Sequence, residues 1–487
     1  MSNPRPAMPS ALSHFALYGI SLLLIKGISL IMLPVIARYL SVEQLGRLEL
    51  LATCGALLGI ISTASMHESL YRFTANLTSE EQRQHQASHL ATLSLLFSML
   101  VCGLGLGLLK LFPELLNAIP LSRFELTLLL LALLFEGPVS LHLTWLRMQE
   151  KAKLFLLISV GSSALQITLI LFVLMTQPSV WGVLAAGTFT RVCQFAALTL
   201  INRFRLVYPA HATQLLRYSL PLMLSAMVAY GLNGAERWFI SSTTALETLG
   251  YYAIAAKFAL AMCLLVQPFG MWWMPKRFAM LEQQGGDAVA RYTRIGMAYV
   301  LLLSLCMAFW GQWFIAFALP ATYLPAQKIL LIILLSAACK EWAELLNIGV
   351  LYQKRSALLF KINLFSALLA IVLCGLFSQW GVMGIASAIT SAQCLRLLAI
   401  SYFSQRIQPI PLQLRRFIPQ LAFMLASFGL AMKINSLIGL VFWGTLLPIL
   451  GLLLSCKLGW VSFPFPMKQW GIDWVQSHLT RRTRKAA

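Results

Sequence analysis

Charge is scarce in this sequence, at 11% of residues, and acid is scarcer still: 16 Asp and Glu stand against 37 Lys and Arg. No segment has the balance of a soluble globular domain. There is no G-x-x-x-x-G-K-[ST] phosphate loop, which argues against direct nucleotide use, and no basic–aromatic platform for nucleic acid. Nine cysteines fall within or beside apolar runs and none has C-x-x-C spacing, so they read as small hydrophobes, not metal ligands or disulfides. His85 and His89 are spaced i, i+4 but have no third ligand nearby, so no metal site is expected. The longest internal polar stretch, 67–88, is too short to house an enzyme domain, and no catalytic residue or cofactor is expected.

What is present is apolar length. Hydrophobic residues make up 59% of the chain and mean hydropathy is +0.78. Runs of about 20 apolar residues recur and suit membrane spans. Fourteen are expected: 15–36, 46–66, 89–112, 124–146, 154–176, 180–201, 217–240, 250–274, 295–318, 328–348, 357–378, 381–402, 416–434 and 436–456. The first ends at Arg38 rather than at a small-residue cleavage site, so it reads as a retained span. The fold class is an all-α polytopic membrane protein.

With this span count, 25 Lys and Arg fall on one side of the membrane and 6 on the other, which predicts that both termini are cytoplasmic. The net charge of +21 is thus sorted by side, so it signals orientation and not a nucleic-acid partner. Beyond the last span, Trp470, Trp474 and Val475 would share a face if the segment ahead of the basic TRRTRK stretch is a short helix, with membrane lipid as its partner; the alternative is a disordered tail.

An internal repeat divides the chain. Val42-Glu43-Gln44-Leu45-Gly46 is echoed by Leu246-Glu247-Thr248-Leu249-Gly250, Met148-Gln149-Glu150-Lys151 by Tyr352-Gln353-Lys354-Arg355, and Trp181-Gly182-Val183 by Trp380-Gly381-Val382. Six spans separate the copies, so the halves are parallel. Two six-helix lobes, 1–216 and 217–407, are expected to enclose a central site. Two further helices at 408–456 and a basic tail at 457–487 complete the organisation.

The chemistry concentrates between Tyr230 and Lys257. Glu236, Arg237 and Lys257 interrupt apolar runs, and a charge at mid-membrane costs about 2.5–3.5 kcal/mol on insertion scales. Gly231 and Gly234 weaken the helix just before the pair. Tyr230, Asn233 and Arg237 would share one helical stripe. Lys26 lies midway along the first span. Candidate substrate contacts are therefore Lys26, Asn233, Glu236, Arg237 and Lys257. Lys26, Glu236, Arg237 and Lys257 together carry +2, a match for an anion of about −2, and Arg suits bidentate phosphate contacts. The bland alternative is a Glu236–Arg237 pair that neutralises itself. Structural or coupling roles fall to Glu136 with Arg191 as an ion pair, to Lys340 with Glu344 at i, i+4, to Glu341, and to Arg396, which is expected to reach the interface.

Two motifs carry a resemblance: Arg38-Tyr39-Leu40 followed by Glu43-x-Leu45-Gly46, and Glu236-Arg237-Trp238-Phe239-Ile240 followed by Leu249-Gly250-Tyr251-Tyr252-Ala253-Ile254-Ala255-Ala256-Lys257. They resemble the Wzx-type oligosaccharide-lipid flippases of the multidrug/oligosaccharidyl-lipid/polysaccharide (MOP) exporter superfamily. That family usually has aspartate where Glu236 stands. The resemblance implies a flippase for an undecaprenyl-diphosphate-linked oligosaccharide in the bacterial inner membrane, serving surface polysaccharide assembly beside a polymerase and other assembly proteins. It also implies a central cavity lined by spans 1, 2, 7 and 8. Moving a charge of −2 outward against 100 mV gains about 4.6 kcal/mol, so membrane potential alone suffices as driving force, and coupling to H+ or Na+ is left open. The alternatives are an organic-cation antiporter of the same superfamily, which favours unpaired membrane acids, and a peptidoglycan-precursor flippase, for which more arginines are expected in spans 1 and 2.

Overall fold

The computed structural model describes Gly27 and residues 32–460, apart from 75, 76, 78, 113–119, 209–211, 275 and 354. Lys26, most of the first span and the tail beyond Trp460 lie outside the described residues. Every regular element among the described residues is helical: α1 (residues 32–39), α2 (Val42–Thr63), α3 (Met66–Thr74), α4 (Glu80–Leu111), α5 (Arg123–Leu134), α6 (Glu136–Met148), α7 (Ala152–Thr176), α8 (Val180–Asn202), α9 (Ala212–Asn233), α10 (Glu236–Thr243), α11 (Leu246–Trp273), α12 (Arg277–Ala318), α13 (Ala326–Leu346), α14 (Ile348–Tyr352), α15 (Ser356–Phe377), α16 (Gly381–Ile407), α17 (Phe417–Ala431) and α18 (Leu437–Lys457), with short 3₁₀ turns between some of them.

Ten of these stretches are long and apolar enough to cross a membrane. The protein is a multi-pass membrane protein. Two expected spans miss that mark for visible reasons: α13 carries Lys328, Lys340, Glu341 and Glu344, and α17 has only 15 residues. Spans 11 and 12 run on through a 3₁₀ turn at Ser378–Trp380 and count as one apolar stretch. Spans 4 and 7 are each two helices, broken at Phe135 and at Gly234–Ala235.

The polar stretch 67–88 is not the loop that the sequence suggests. It contains α3 and the first turns of α4. Likewise α12 extends well ahead of its apolar part and bends at Gly285, whose φ of +81° only glycine adopts without strain. Elsewhere local chemistry sets the boundaries. Ser41 and Ser122 each close a capping box, with Gln44 and Glu125 as the returning side chains. Glu125 also accepts from Arg47 Nη2 at 3.1 Å, which fastens α5 to α2.

α2 through α8 pack mainly on one another, as do α11 through α16, while α17 and α18 lean on α12. The halves meet chiefly where α2 crosses α11. The crossing uses the repeated motif itself. A Cβ on Gly250 would stand 2.5 Å from Val42 O, and one on Gly46 would run into the Leu246 carbonyl. Small residues permit this approach, as they do generally between membrane helices. Away from the crossing, α2 leads into α3 and α11 leads into α12, whose first residue is Arg277.

Candidate substrate site at the seam between the halves

The site sits about one turn below the Gly46–Gly250 crossing. It is built where α9 gives way to α10. Gly234 and Ala235 leave the helix there, and the next turn is tighter: Arg237 N donates to Gly234 O at 3.3 Å and Trp238 N to Ala235 O at 3.1 Å. The break turns Glu236 and Arg237 toward different neighbours.

Arg237 reaches across the seam. Its Nε lies 3.0 Å from Glu49 Oε1 on α2, and its guanidinium stands 5.9 Å over the Tyr252 ring on α11. The Nε–H does not point at the carboxylate, so the contact is an ion pair rather than an aligned hydrogen bond. Glu236 is 3% exposed. Its Oε1 accepts from Tyr252 Oη at 3.0 Å, and its Oε2 has no donor. Gln393 on α16 donates from Nε2 to Leu232 O at 3.3 Å, and its Oε1 is also buried without a donor. Acceptor oxygens without donors suit a proton or a small hard cation.

A second tie lies beside the first. Tyr230 Oη donates to Thr53 O on α2 at 3.1 Å and accepts from Trp238 Nε1 at 3.1 Å. Asn233 is exposed and donates to Ala229 O within its own helix. Because of the break, Tyr230, Asn233 and Arg237 do not form one continuous stripe. Lys257 is half-buried on α11, eleven residues beyond Leu246, about 16 Å along the helix, and makes no ion pair among the described residues.

Glu236 and Arg237 form no direct ion pair: Arg237 pairs with Glu49, and Glu236 accepts from the uncharged Tyr252 hydroxyl. Glu49 was not among the candidates, and including it lowers the expected +2 to +1. Its signal was available: an acid inside an apolar run, three residues beyond the repeated Gly46.

The remaining charges fall into two clusters. In the first half, Glu136 Oε2 lies 2.9 Å from Arg191 Nη2. In the second, Glu344 Oε1 lies 2.7 Å from Arg396 Nη2, and Arg396 Nε donates to Asn363 Oδ1 at 2.8 Å. Asn347 Nδ2 donates to Glu344 Oε2 at 3.1 Å, and Arg277 Nη1 donates to Asn347 Oδ1 at 3.0 Å. Arg396 is therefore buried and paired instead of reaching the interface. Glu344 takes Arg396 as its partner, and Lys340 makes no ion pair among the described residues. Glu341 lies against Cys263 of α11. All nine cysteines are free thiols. The His85 and His89 rings meet edge to face at 4.5 Å, and no group of three ligating side chains occurs among the described residues.

A sequence profile of the polysaccharide biosynthesis protein family matches residues 12–281, more than half of the chain and the part that carries α2, α10 and α11. The chain belongs to that family. Among solved structures, this family member is similar to the lipid II flippase MurJ in an inward closed conformation, at 14% identity and a TM-score of 0.70, covering 91% of this chain and 99% of that one. It is also similar to the Vibrio cholerae MATE transporter VcmN, at 13% identity and a TM-score of 0.54, covering 82% and 98%. An outward-facing multidrug-resistance MATE transporter matches at 13% identity and a TM-score of 0.51, over 80% and 95%. No curated protein matches in sequence. The polysaccharide biosynthesis family member thus has the fold of MOP-superfamily transporters.

Proposed function

We propose that this protein is an alternating-access flippase that carries an undecaprenyl-diphosphate-linked oligosaccharide from the cytoplasmic to the periplasmic leaflet of a bacterial inner membrane, with both termini cytoplasmic. The observation that carries the reading is Arg237, a largely buried cation held at the seam between the two repeats of a polysaccharide biosynthesis family member. Lys257 adds a second cation whose charge no described carboxylate neutralises.

The mechanism follows from the pairing. With Arg237 committed to Glu49, the end of the bundle bearing Gly46 and Gly250 is sealed. A lipid diphosphate arriving from the other end competes with Glu49 for the guanidinium. Capture of Arg237 by phosphate releases α2 from α10 and lets the halves rock apart at that end. Lys257, a more mobile point charge, accompanies the head group along α11. Release of product restores the Glu49 pair. Lys26 is assigned to the same path on its place in the first span. A membrane potential of 100 mV favours outward movement of a −2 head group by about 4.6 kcal/mol. A polysaccharide polymerase and other assembly proteins would consume the flipped product.

The MATE-like fold keeps the organic-cation antiporter as the second reading. Glu236 and Glu341, which have no arginine partner among the described residues, are the acids it would use; it is the weaker reading because Glu49, Glu136 and Glu344 are all paired with arginine. The test is flipping of a fluorescent undecaprenyl-diphosphate oligosaccharide in proteoliposomes. Wild type is expected to flip it, and an equally stable Arg237→Ala, Lys257→Ala variant is expected to lose at least tenfold in rate. No flipping by wild type together with uptake of an organic cation would transfer the assignment to the antiporter.

A further inference from the structure

Inside the first half, α2, α5, α6, α7 and α8 surround a cavity of about 820 Å³, within the range of roughly 300–1,000 Å³ typical of small-molecule sites. Its walls differ in chemistry. One is a connected polar row: Glu136 pairs with Arg191 at 2.9 Å, Arg191 Nη1 donates to Gln194 Oε1 at 3.2 Å, and Gln194 Nε2 donates to Ser162 Oγ at 3.1 Å. Gly59 of α2 and Leu129 and Leu133 of α5 contribute an apolar part of the lining.

The second half supplies a comparison. Each half carries a glutamate–arginine pair between its helices, Glu136–Arg191 and Glu344–Arg396, but not at repeat-equivalent positions: the nearest repeated motifs set Lys340 opposite Glu136 (340 − 136 = 204) and Thr390 opposite Arg191 (390 − 191 = 199). In the second half the arginine is buried and held also by Asn363, while the Glu344 side chain stays 41% accessible. In the first half the arginine itself is open, with 33% of the Arg191 side chain and 35% of Glu136 accessible beside the hollow. Holding the helices together does not require that space.

The polar row sums to zero charge, so it gives no electrostatic reason to hold phosphate. Carboxylate, guanidinium, amide and hydroxyl in a row, in a cavity that also has an apolar lining, match the two surfaces of a sugar ring: hydroxyl edge and C–H face. α2 is shared with the seam, since Ile60 and Thr63 line the cavity while Glu49 and Thr53 face α10 and α9. We propose that this cavity is a glycan subsite, holding neutral sugar units of the lipid-linked oligosaccharide while Arg237 and Lys257 manage the diphosphate. The assignment rests on the flippase reading above.

The test uses the full-length protein in nanodiscs and two probes: undecaprenyl diphosphate, and the lipid-linked oligosaccharide extracted from source cells that lack this protein. Gln194→Leu alters the polar row and Gly59→Val the apolar lining, where an added Cβ would meet only Leu133 Cδ2, at 3.6 Å. Both variants are expected to weaken the sugar-bearing lipid at least tenfold and to leave undecaprenyl diphosphate within twofold. If wild type binds both lipids, equal losses on both, or none, would overturn the subsite and leave the flippase reading standing. Failure of wild type to bind either lipid would sink both.

Discussion

Arg237 and Glu49 belong to opposite halves of the molecule, and their 3.0 Å contact is the ionic tie across the seam. Both side chains are mostly buried, so removal of one leaves a poorly solvated charge on the other. A double-mutant cycle with Glu49→Gln and Arg237→Gln should therefore give a coupling free energy of about 1–3 kcal/mol, read from unfolding in detergent. In proteoliposomes, Glu49→Gln alone should lower the KM for the lipid diphosphate several-fold, because the guanidinium no longer has an internal competitor. An unchanged or raised KM would remove Glu49 from the proposed exchange.

The glycine crossing makes a steric prediction. Gly250→Val would drive side-chain atoms into Val42 O and prevent closure of α11 on α2. Flipping should fall at least tenfold at normal expression. Maleimide labelling of a cysteine placed at Thr53 should rise on the side that carries Gly250.

The Glu344–Arg396 pair of the second half can be separated from Lys340 by stability. Arg396→Leu strips the part-exposed Glu344 of its guanidinium and Asn363 of its donor, and should cost about 1–3 kcal/mol. Lys340→Met removes no ion pair seen among the described residues and should cost less than about 1 kcal/mol. Thermal unfolding of the two variants in one detergent distinguishes them; equal losses would mean that Lys340 shares the pair.

At Gly285 the constraint is backbone and not space. A Cβ there would touch nothing within 4 Å, yet φ is +81°. Gly285→Ala should destabilise by about 1–2 kcal/mol from strain alone. A neutral or stabilising result would show that α12 runs straight.

The membrane helices were legible because apolar runs of 20 residues have one physical use. For α7 and α8 the expected and observed limits agree within two residues. The polar helix α3 and the leading turns of α4 and α12 were not legible, since they lack the apolar run by which the spans announce themselves. Arg237 and Glu236 stood out as charges beside a weakened helix. Their partners did not, because Glu49 and Tyr252 are brought to them by packing of the two halves, which no local spacing encodes. For the same reason i, i+4 spacing suggested Lys340 for Glu344, whereas helix packing delivered Arg396.

The Gly46–Gly250 crossing has a consequence for symmetry. Each glycine abuts the counterpart of the residue that abuts the other: Gly46 meets Leu246, and Gly250 meets Val42. That reciprocity is the mark of an isologous interface between identical subunits. Within one chain, the two copies of the motif therefore meet as two identical subunits would across a two-fold.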